Sequence, residues 1–290
     1  MDSARPVLVT GALGNIGQQV VAELRGAGRA VRAADLDPEA VLKRMSGVEA
    51  VRFDFTDPTS WGAAFDGVEV MFLMRPPHLS RIERDMVPAL EQARSSGVQH
   101  VVLLSLQGAD RNRMVPHAKL ERWLRTSGQS WTFVRPSFFM ENLSTTHAAD
   151  IRDHDVILVP AGPGRTAFVA AADVAAVAAV ALLDPRGHAN RAWTPTGPEA
   201  LSYDEVAGIL SAVLDRPIHY ARPGAARYLR HATHDLGMPR AMALVTTAIY
   251  TVARMGRASG LTDDVLEVTG RAPVPFRDWA RGHRQVWVPG

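Results

Sequence analysis

Three glycines, Gly11, Gly14 and Gly17, sit in the run TGALGNIG between the apolar Val7 to Val9 and a helix-compatible stretch that ends near Gly26. A strand, a glycine turn and a helix in that order make the phosphate-cradling turn of a dinucleotide-binding βαβ unit. The turn must be tight, the backbone must approach a pyrophosphate, and the helix must sit close on the strand, and each demand excludes a side chain. Amide nitrogens at the start of the helix then face the anion. Thr10, Gly11, Gly14, Asn15, Ile16 and Gly17 are therefore the expected phosphate contacts.

Two acids stand where the rest of a dinucleotide would lie. Asp35 ends the second apolar run, about twenty residues beyond the glycines, where a carboxylate accepts both hydroxyls of an adenine ribose. Leu36 follows it, and no arginine stands there to meet a 2'-phosphate, which favours NAD over NADP as the cofactor. The competing reading of Asp35 is a cap for the short helix after Pro38. Asp54, in RFDFTDP, is placed to bond the adenine amine with Phe55 against the ring, or else is a turn acid before Pro58. Met74, Arg75 and Pro76 follow the fourth apolar run, and Pro136 to Phe139 follow the sixth, so both segments are expected to border the ribose and nicotinamide. Phe138, Phe139 and Met140 make that mouth apolar and suited to a flat ring.

The elements that must hold these residues follow from periodicity. Apolar β-rich runs recur at Val7 to Thr10, Ala30 to Asp35, Val48 to Asp54, Val68 to Leu73, Val101 to Ser105 and Thr132 to Arg135. Helix-length segments lie between them: Pro38 to Met45, Pro58 to Phe65, Leu79 to Ser95 and Pro116 to Thr126. This alternation predicts an α/β fold, a Rossmann-type doubly wound parallel sheet with binding at the carboxyl ends of its strands. Beyond about residue 137 the alternation weakens into a strand at Asp155 to Val159 and helices at Ala171 to Leu183 and Ser202 to Leu214. Two further helices, in Pro223 to Gly260, break at Gly237 and Pro239. The expected division is a dinucleotide-binding domain over 1–153 and a smaller, mainly helical substrate region over 154–290, with some segments returning to the sheet.

Composition limits the remaining possibilities. The 290 residues carry 32 basic and 30 acidic side chains, a net charge of +2 that offers no nucleic-acid surface. Without cysteine there is no disulfide, thiolate metal site or cysteine nucleophile. The acid at Asp2 and a core strand by Val7 leave no room for a signal peptide, and the apolar stretches Ala167 to Leu183 and Ala241 to Ala253 are short for a membrane span and read as buried helices. A soluble, cytoplasmic protein with no membrane partner is expected. His231 and His234 lack a carboxylate to complete a metal set and read as surface residues, so no metal is expected. Asp173 reads as a helix cap, Asp263 and Asp264 as first-turn acids, and Met238, Met242 and Met255 as core filler or a substrate wall.

The chain resembles the short-chain dehydrogenase/reductase superfamily, and within it the atypical NmrA-like branch, which includes quinone oxidoreductase-like proteins and redox-sensing regulators. TGALGNIG, DFTDP, VVLLSLQGAD, the block HAKLERWLRTSGQSWTFVRPSFFMENL and the segment LTDDVLEVTGRAPVPFRDWARGH carry the resemblance over nearly the whole chain. The superfamily's usual proton donor is a tyrosine four residues before a lysine, yet none of Tyr203, Tyr220, Tyr228 and Tyr250 has a lysine at that spacing. In extended relatives the lysine lies four residues before a helix glutamate, and the helix leads to a strand ending in arginine. With Glu121 and Arg135 as anchors, that register falls on His117, while Lys119 points about 200 degrees around the helix.

The resemblance thus implies His117 facing the nicotinamide, either bonding ribose hydroxyls or, as a protonated imidazole, delivering a proton. Ser105 takes the place of a substrate-polarising hydroxyl, or else merely ends its strand. The implied function is an NAD(P)H-dependent reduction of a small apolar or aromatic substrate such as a quinone, enone or similar conjugated carbonyl. The alternative is a non-catalytic NAD(P)-binding redox sensor acting through a protein partner. A sugar-nucleotide epimerase is disfavoured, because its chemistry needs the tyrosine.

Overall fold

The apolar runs at the start of the chain become strands because only a position with both faces covered removes such uniformly apolar segments from water. The computed structural model describes residues 5–289, so the expectation drawn from Asp2 lies outside the described residues. In chain order the elements are β1 (Val7–Thr10), α1 (Asn15–Gly26), β2 (Val31–Asp35), α2 (Pro38–Arg44), β3 (Glu49–Arg52), α3 (Trp61–Phe65), β4 (Val70–Met74), α4 (Ile82–Asp85), α5 (Val87–Ser95), β5 (His100–Leu104), α6 (Pro116–Thr126) and β6 (Ser130–Val134). The chain continues through β7 (Phe138–Phe139), α7 (Ala148–His154), β8 (Val156–Ile157), β9 (Arg165–Val169), α8 (Ala171–Leu183), β10 (Arg191–Trp193) and β11 (Ala200–Ser202). It ends with α9 (Tyr203–Leu214), β12 (His219–Tyr220), α10 (Ala225–His234), α11 (Arg240–Arg254), α12 (Asp264–Thr269) and α13 (Phe276–Gly282).

Seven strands form one parallel sheet in the order β3-β2-β1-β4-β5-β6-β10. Its order reverses between β1 and β4, so the chain leaves the carboxyl ends of these neighbours in opposite directions and opens a crevice there. Every residue of β1 is buried. Helix α8 is apolar nearly all round and correspondingly buried along most of its length, packing along α1.

The chain divides into two compact units, the first running to Pro136 and taking back Ala171–Pro195 and Glu267–Gly270. The break falls at Pro136 and not at residue 153, because β7 pairs with β9, setting Phe138 opposite Phe168 within the second unit. That unit holds the small sheets β11-β9-β7 and β12-β8 around a core that includes Tyr203, Tyr228, Phe276 and Trp287. Helix α9 starts one residue later than expected, since Ser202 is its cap in a box with Glu205.

Other differences have local causes. Leu79 to Ser95 is two helices, not one, broken at Met86, two residues before Pro88, which lacks the N–H that would continue the ladder. The strand expected at Asp155 to Val159 keeps only Val156–Ile157. Asp173 lies inside the first turn of α8 and not at its cap. Met242 and Met255 are exposed, not core, and α11 buries only Ala243, Tyr250 and Ala253. His231 is not a surface residue: its ring lies between Asp150, 2.9 Å from Nε2, and Asp235, 2.8 Å from Nδ1, a pairing across 81 residues that local spacing does not reveal. Among the described residues no helix is long and apolar enough to cross a membrane, and no group of side chains is arranged to hold a metal ion.

Candidate functional site

Within the first unit, β1 delivers the chain into a turn that only glycines allow. Gly11 has φ +64°, and the Gly14 N–H donates to its carbonyl at 3.0 Å. A Cβ on Gly17 would stand 2.1 Å from the Gly11 oxygen, so the first turn of α1 is packed directly on the glycine turn. Gly14 caps α1 without any side-chain hydrogen bond, which leaves the amides of exposed Asn15, buried Ile16 and Gly17 to an anion. The Met74 methyl lies over the turn, 2.1 Å and 2.9 Å from where side chains on Gly11 and Gly14 would begin. Thr10 is fully buried; its hydroxyl donates to the Phe72 carbonyl and accepts from the Met74 N–H, both at 3.0 Å. Its side chain therefore clamps β1 to β4 beside the crevice and is not a phosphate contact.

At the tip of β2 the Asp35 carboxylate is fixed by two amides, accepting from Leu13 N–H at 2.9 Å and from Leu36 N–H at 2.8 Å. One belongs to the glycine turn, so the acid is locked to the cradle with lone pairs left on each oxygen. Asp37, and not Asp35, caps α2 through Ala40 N–H. Leu36 is 58% exposed beside it. Asp54 takes its turn role, accepting from the Thr56 amide and hydroxyl at 2.8 and 2.7 Å. Phe55 is only 5% exposed and packs edge-to-face on Phe53 at 4.7 Å, so its ring belongs to the core and does not lie against an adenine.

His117 is the second residue of α6, behind Pro116, and its Nδ1 is buried without a hydrogen-bond partner. Burial, and after it the charge of Arg75, pushes its pKa down to about 4 against the opposing pull of Glu121. The imidazole is thus held neutral at pH 7, which suits the ribose-bonding role expected of it better than that of a protonated acid. Arg75 itself fastens the loop after β4, donating to the carbonyls of Pro76, Pro77 and Leu79 at 2.8, 3.0 and 2.8 Å. One helical turn beyond His117, fully buried Glu121 accepts from Arg135 Nε at 2.8 Å and Nη2 at 2.6 Å. Ser105 donates its hydroxyl hydrogen to the same carboxylate at 2.7 Å. That proton is committed, so Ser105 supports the β5 end and does not polarise a substrate. Lys119 turns to Glu83, 3.9 Å away on the helix surface. Pro136 is buried and accepts from Gln107 N–H at 3.0 Å, whereas Phe138 belongs to the second unit.

Two histidines, buried His100 and half-buried His117, give the first unit a defined acid sensitivity. His100, 2% exposed between Ser130 and Thr132, is lowered to about 4 mainly by burial, as His117 is. Below about pH 6.5 the unfolded chain takes up protons that these folded rings refuse, so stability falls with pH until about pH 4. His100→Asn is expected to flatten the stability–pH slope in that window by about 1.4 kcal/mol per pH unit. Urea unfolding at stepped pH measures it, and an unchanged slope would show the ring already charged in the fold.

The sequence model of the NmrA-like family matches residues 3–257. The chain belongs to the NmrA-like family. This NmrA-like protein is 34% identical over 287 residues to an NAD(P)H azoreductase of Xenophilus azovorans, covering 96% of this chain and 97% of that one. It is 36% identical over 290 residues to a (4-alkanoyl-5-oxo-2,5-dihydrofuran-3-yl)methyl phosphate reductase of Streptomyces griseus, covering 98% and 99%. In fold it is similar to the Escherichia coli NADPH-dependent quinone oxidoreductase complexed with NADPH, with a TM-score of 0.84, 23% identity and coverage of 96% and 99%. A triphenylmethane reductase of Citrobacter sp. is comparably similar, with a TM-score of 0.85, 24% identity and coverage of 97% and 99%.

In this NmrA-like protein the turn glycines, Asp35, Met74, Arg75 and His117 all stand at the carboxyl end of one sheet. Spacing alone missed the Leu13 amide that locks Asp35 and the carbonyl cage around Arg75. Both join backbone groups to side chains, and backbone groups leave no residue-type signal.

Proposed function

We propose that the protein is a NADH-dependent reductase of small conjugated acceptors, with quinones and enones as the substrate class. The observation that carries this reading is the start of α1, packed directly on the Gly11 turn and capped by no side-chain hydrogen bond, which leaves its first-turn amides to an anion. When bound, the dinucleotide supplies a hydride. The chain's own residues hold it: amides of residues 15 to 17 on the pyrophosphate, and Asp35 on the adenine ribose. His117 offers the nicotinamide ribose one donor and one acceptor from a neutral ring, and its orphaned Nδ1 is a polar atom in need of such a partner. The relatives' named substrates, an azo class, a dihydrofuranone, quinones and triphenylmethane dyes, share conjugation that can accept a hydride, which supports the substrate class.

His117→Ala is expected to weaken NADH binding about tenfold, the effect of removing hydrogen bonds worth roughly 1.4 kcal/mol, while Lys119→Ala leaves it unchanged. The reverse ranking would shift the α6 register by two residues. Asp35 with Leu36 favours NADH over NADPH, because a carboxylate repels a 2'-phosphate. Asp35→Ala with Leu36→Arg is expected to invert that preference in calorimetric titration, and tighter NADPH binding by the wild type would refute it. A second reading, a redox sensor acting through a protein partner, is favoured by the lowered pKa of His117, which leaves the ring neutral and a poor proton donor at pH 7. NADH consumption across a panel of quinones and enones decides between them: turnover excludes a pure sensor, and binding without turnover on the panel excludes the proposed substrate class.

A further inference from the structure

Helix α11 exposes a face that carries no polar side chain. At 100 degrees per residue, Met242, Leu244, Val245, Ile249, Val252 and the capping Met255 fall on one arc, and all are exposed, Val245 by 56% and Leu244 by 53%. The opposite arc carries the buried Ala243 and Tyr250. Scattered exposed apolar residues are ordinary, but a contiguous stripe along a whole helix marks a surface that meets something other than water.

Charge around the helix selects the occupant. Between residues 223 and 262 stand Arg227, Arg230, Arg240, Arg254 and Arg257 against the single carboxylate of Asp235, which is itself bonded to His231, while the preceding Arg222 is paired with Asp204 at 2.8 Å. Helix α10 packs against α11 and exposes Arg227 and Arg230. A second copy of this surface would bring arginine to arginine. An anionic lipid surface answers both features, since acyl chains accept the apolar face and headgroups the guanidinium groups. The 15 residues of α11 extend about 22 Å, short of the ~30 Å hydrocarbon thickness, so the helix suits lying in the interface and not crossing it.

We propose that α11, with the basic face of α10, docks the protein on anionic membranes. This goes beyond the earlier expectation of no membrane partner, which rested on the lack of a spanning segment. It would also place a reductase of apolar rings where such rings partition, but the docking surface stands on its own residues and is tested without any substrate.

Co-sedimentation of the full chain with vesicles of phosphatidylcholine and phosphatidylglycerol, against phosphatidylcholine alone, tests the proposal. Binding is expected on the anionic vesicles, with loss as added salt shortens the Debye length to about 3 Å. Val245→Glu with Ile249→Glu is expected to lower the bound fraction about tenfold, because two charges then enter the acyl boundary. Arg227→Glu with Arg230→Glu is expected to lower it on anionic vesicles alone. An unchanged NADH-induced melting shift in both variants shows that the fold is intact. Wild-type protein that stays in the supernatant, or a Val245→Glu/Ile249→Glu variant that still sediments, overturns the proposal. So does a dimer in sedimentation velocity that this variant dissociates without any vesicle binding, which would assign the face to a second copy.

Discussion

Glu121→Ala is expected to destabilise the fold by about 3–5 kcal/mol, because it strands a largely buried guanidinium without its anion. Arg135 directs two nitrogens at this carboxylate, at 2.8 and 2.6 Å, its side chain is 11% exposed, and among the described residues its other carboxylate contact is Asp110 at 3.9 Å. Ser105 loses its acceptor in the same variant. A drop in Tm of roughly 10 °C follows from the size of that loss. The double variant Glu121→Ala/Arg135→Met is expected to recover much of it, since removing both members of a buried pair is far milder than removing one. Thermal melting of the three proteins checks this, and a single-variant loss below about 1 kcal/mol would mean that the pair contributes no more than an exposed one.

Gly17→Ala is expected to remove dinucleotide binding and to lower stability by about 1–3 kcal/mol, the usual range for forcing a methyl into filled space. The new Cβ would run into the backbone of the glycine turn: the Gly11 oxygen at 2.1 Å, its carbonyl carbon at 2.9 Å and Ala12 Cα at 3.0 Å. None of these can turn away, so α1 must lift from the turn and carry its outward amides with it. Gly14→Ala is the informative contrast. Its nearest neighbour, at 2.9 Å, is the flexible end of Met74, and the Gly11 oxygen lies at 3.2 Å, so that chain is expected to stay folded. Melting curves with and without NADH separate the two effects, because ligand stabilises only a protein that binds it. A full NADH shift in Gly17→Ala would remove the glycine turn from the proposed phosphate site.

The sequence by itself determined the parts of this protein that depend on neighbours along the chain. Apolar runs closed by turn residues marked β1, β2 and β4, and the first three glycines marked the turn into α1. A proline start and apolar spacing gave α6 its observed ends, and Gly237 and Pro239 separated α10 from α11. Glu121 and Arg135 were legible as anchors of the α6 register through the resemblance, but their ion pair was not.

Only the tertiary structure decided what each side chain finds across space. Phe55 and Asp54 stand next to each other at a strand end, yet the ring turns into the core against Phe53 while the carboxylate closes a turn on Thr56. Ser105 looked free to meet a substrate until α6 brought Glu121 to its hydroxyl. His117 carried no sign of its charge state, because burial and the guanidinium of Arg75, from a different strand end, set it. The apolar stretch Ala241 to Ala253 read as a buried helix, but α11 buries only Ala243, Tyr250 and Ala253, and packing left its apolar stripe outward. Local spacing fixes backbone conformation through sterics and capping, whereas desolvation, pairing and exposure depend on residues distant in sequence, and these are set when the sheet and its helices come together.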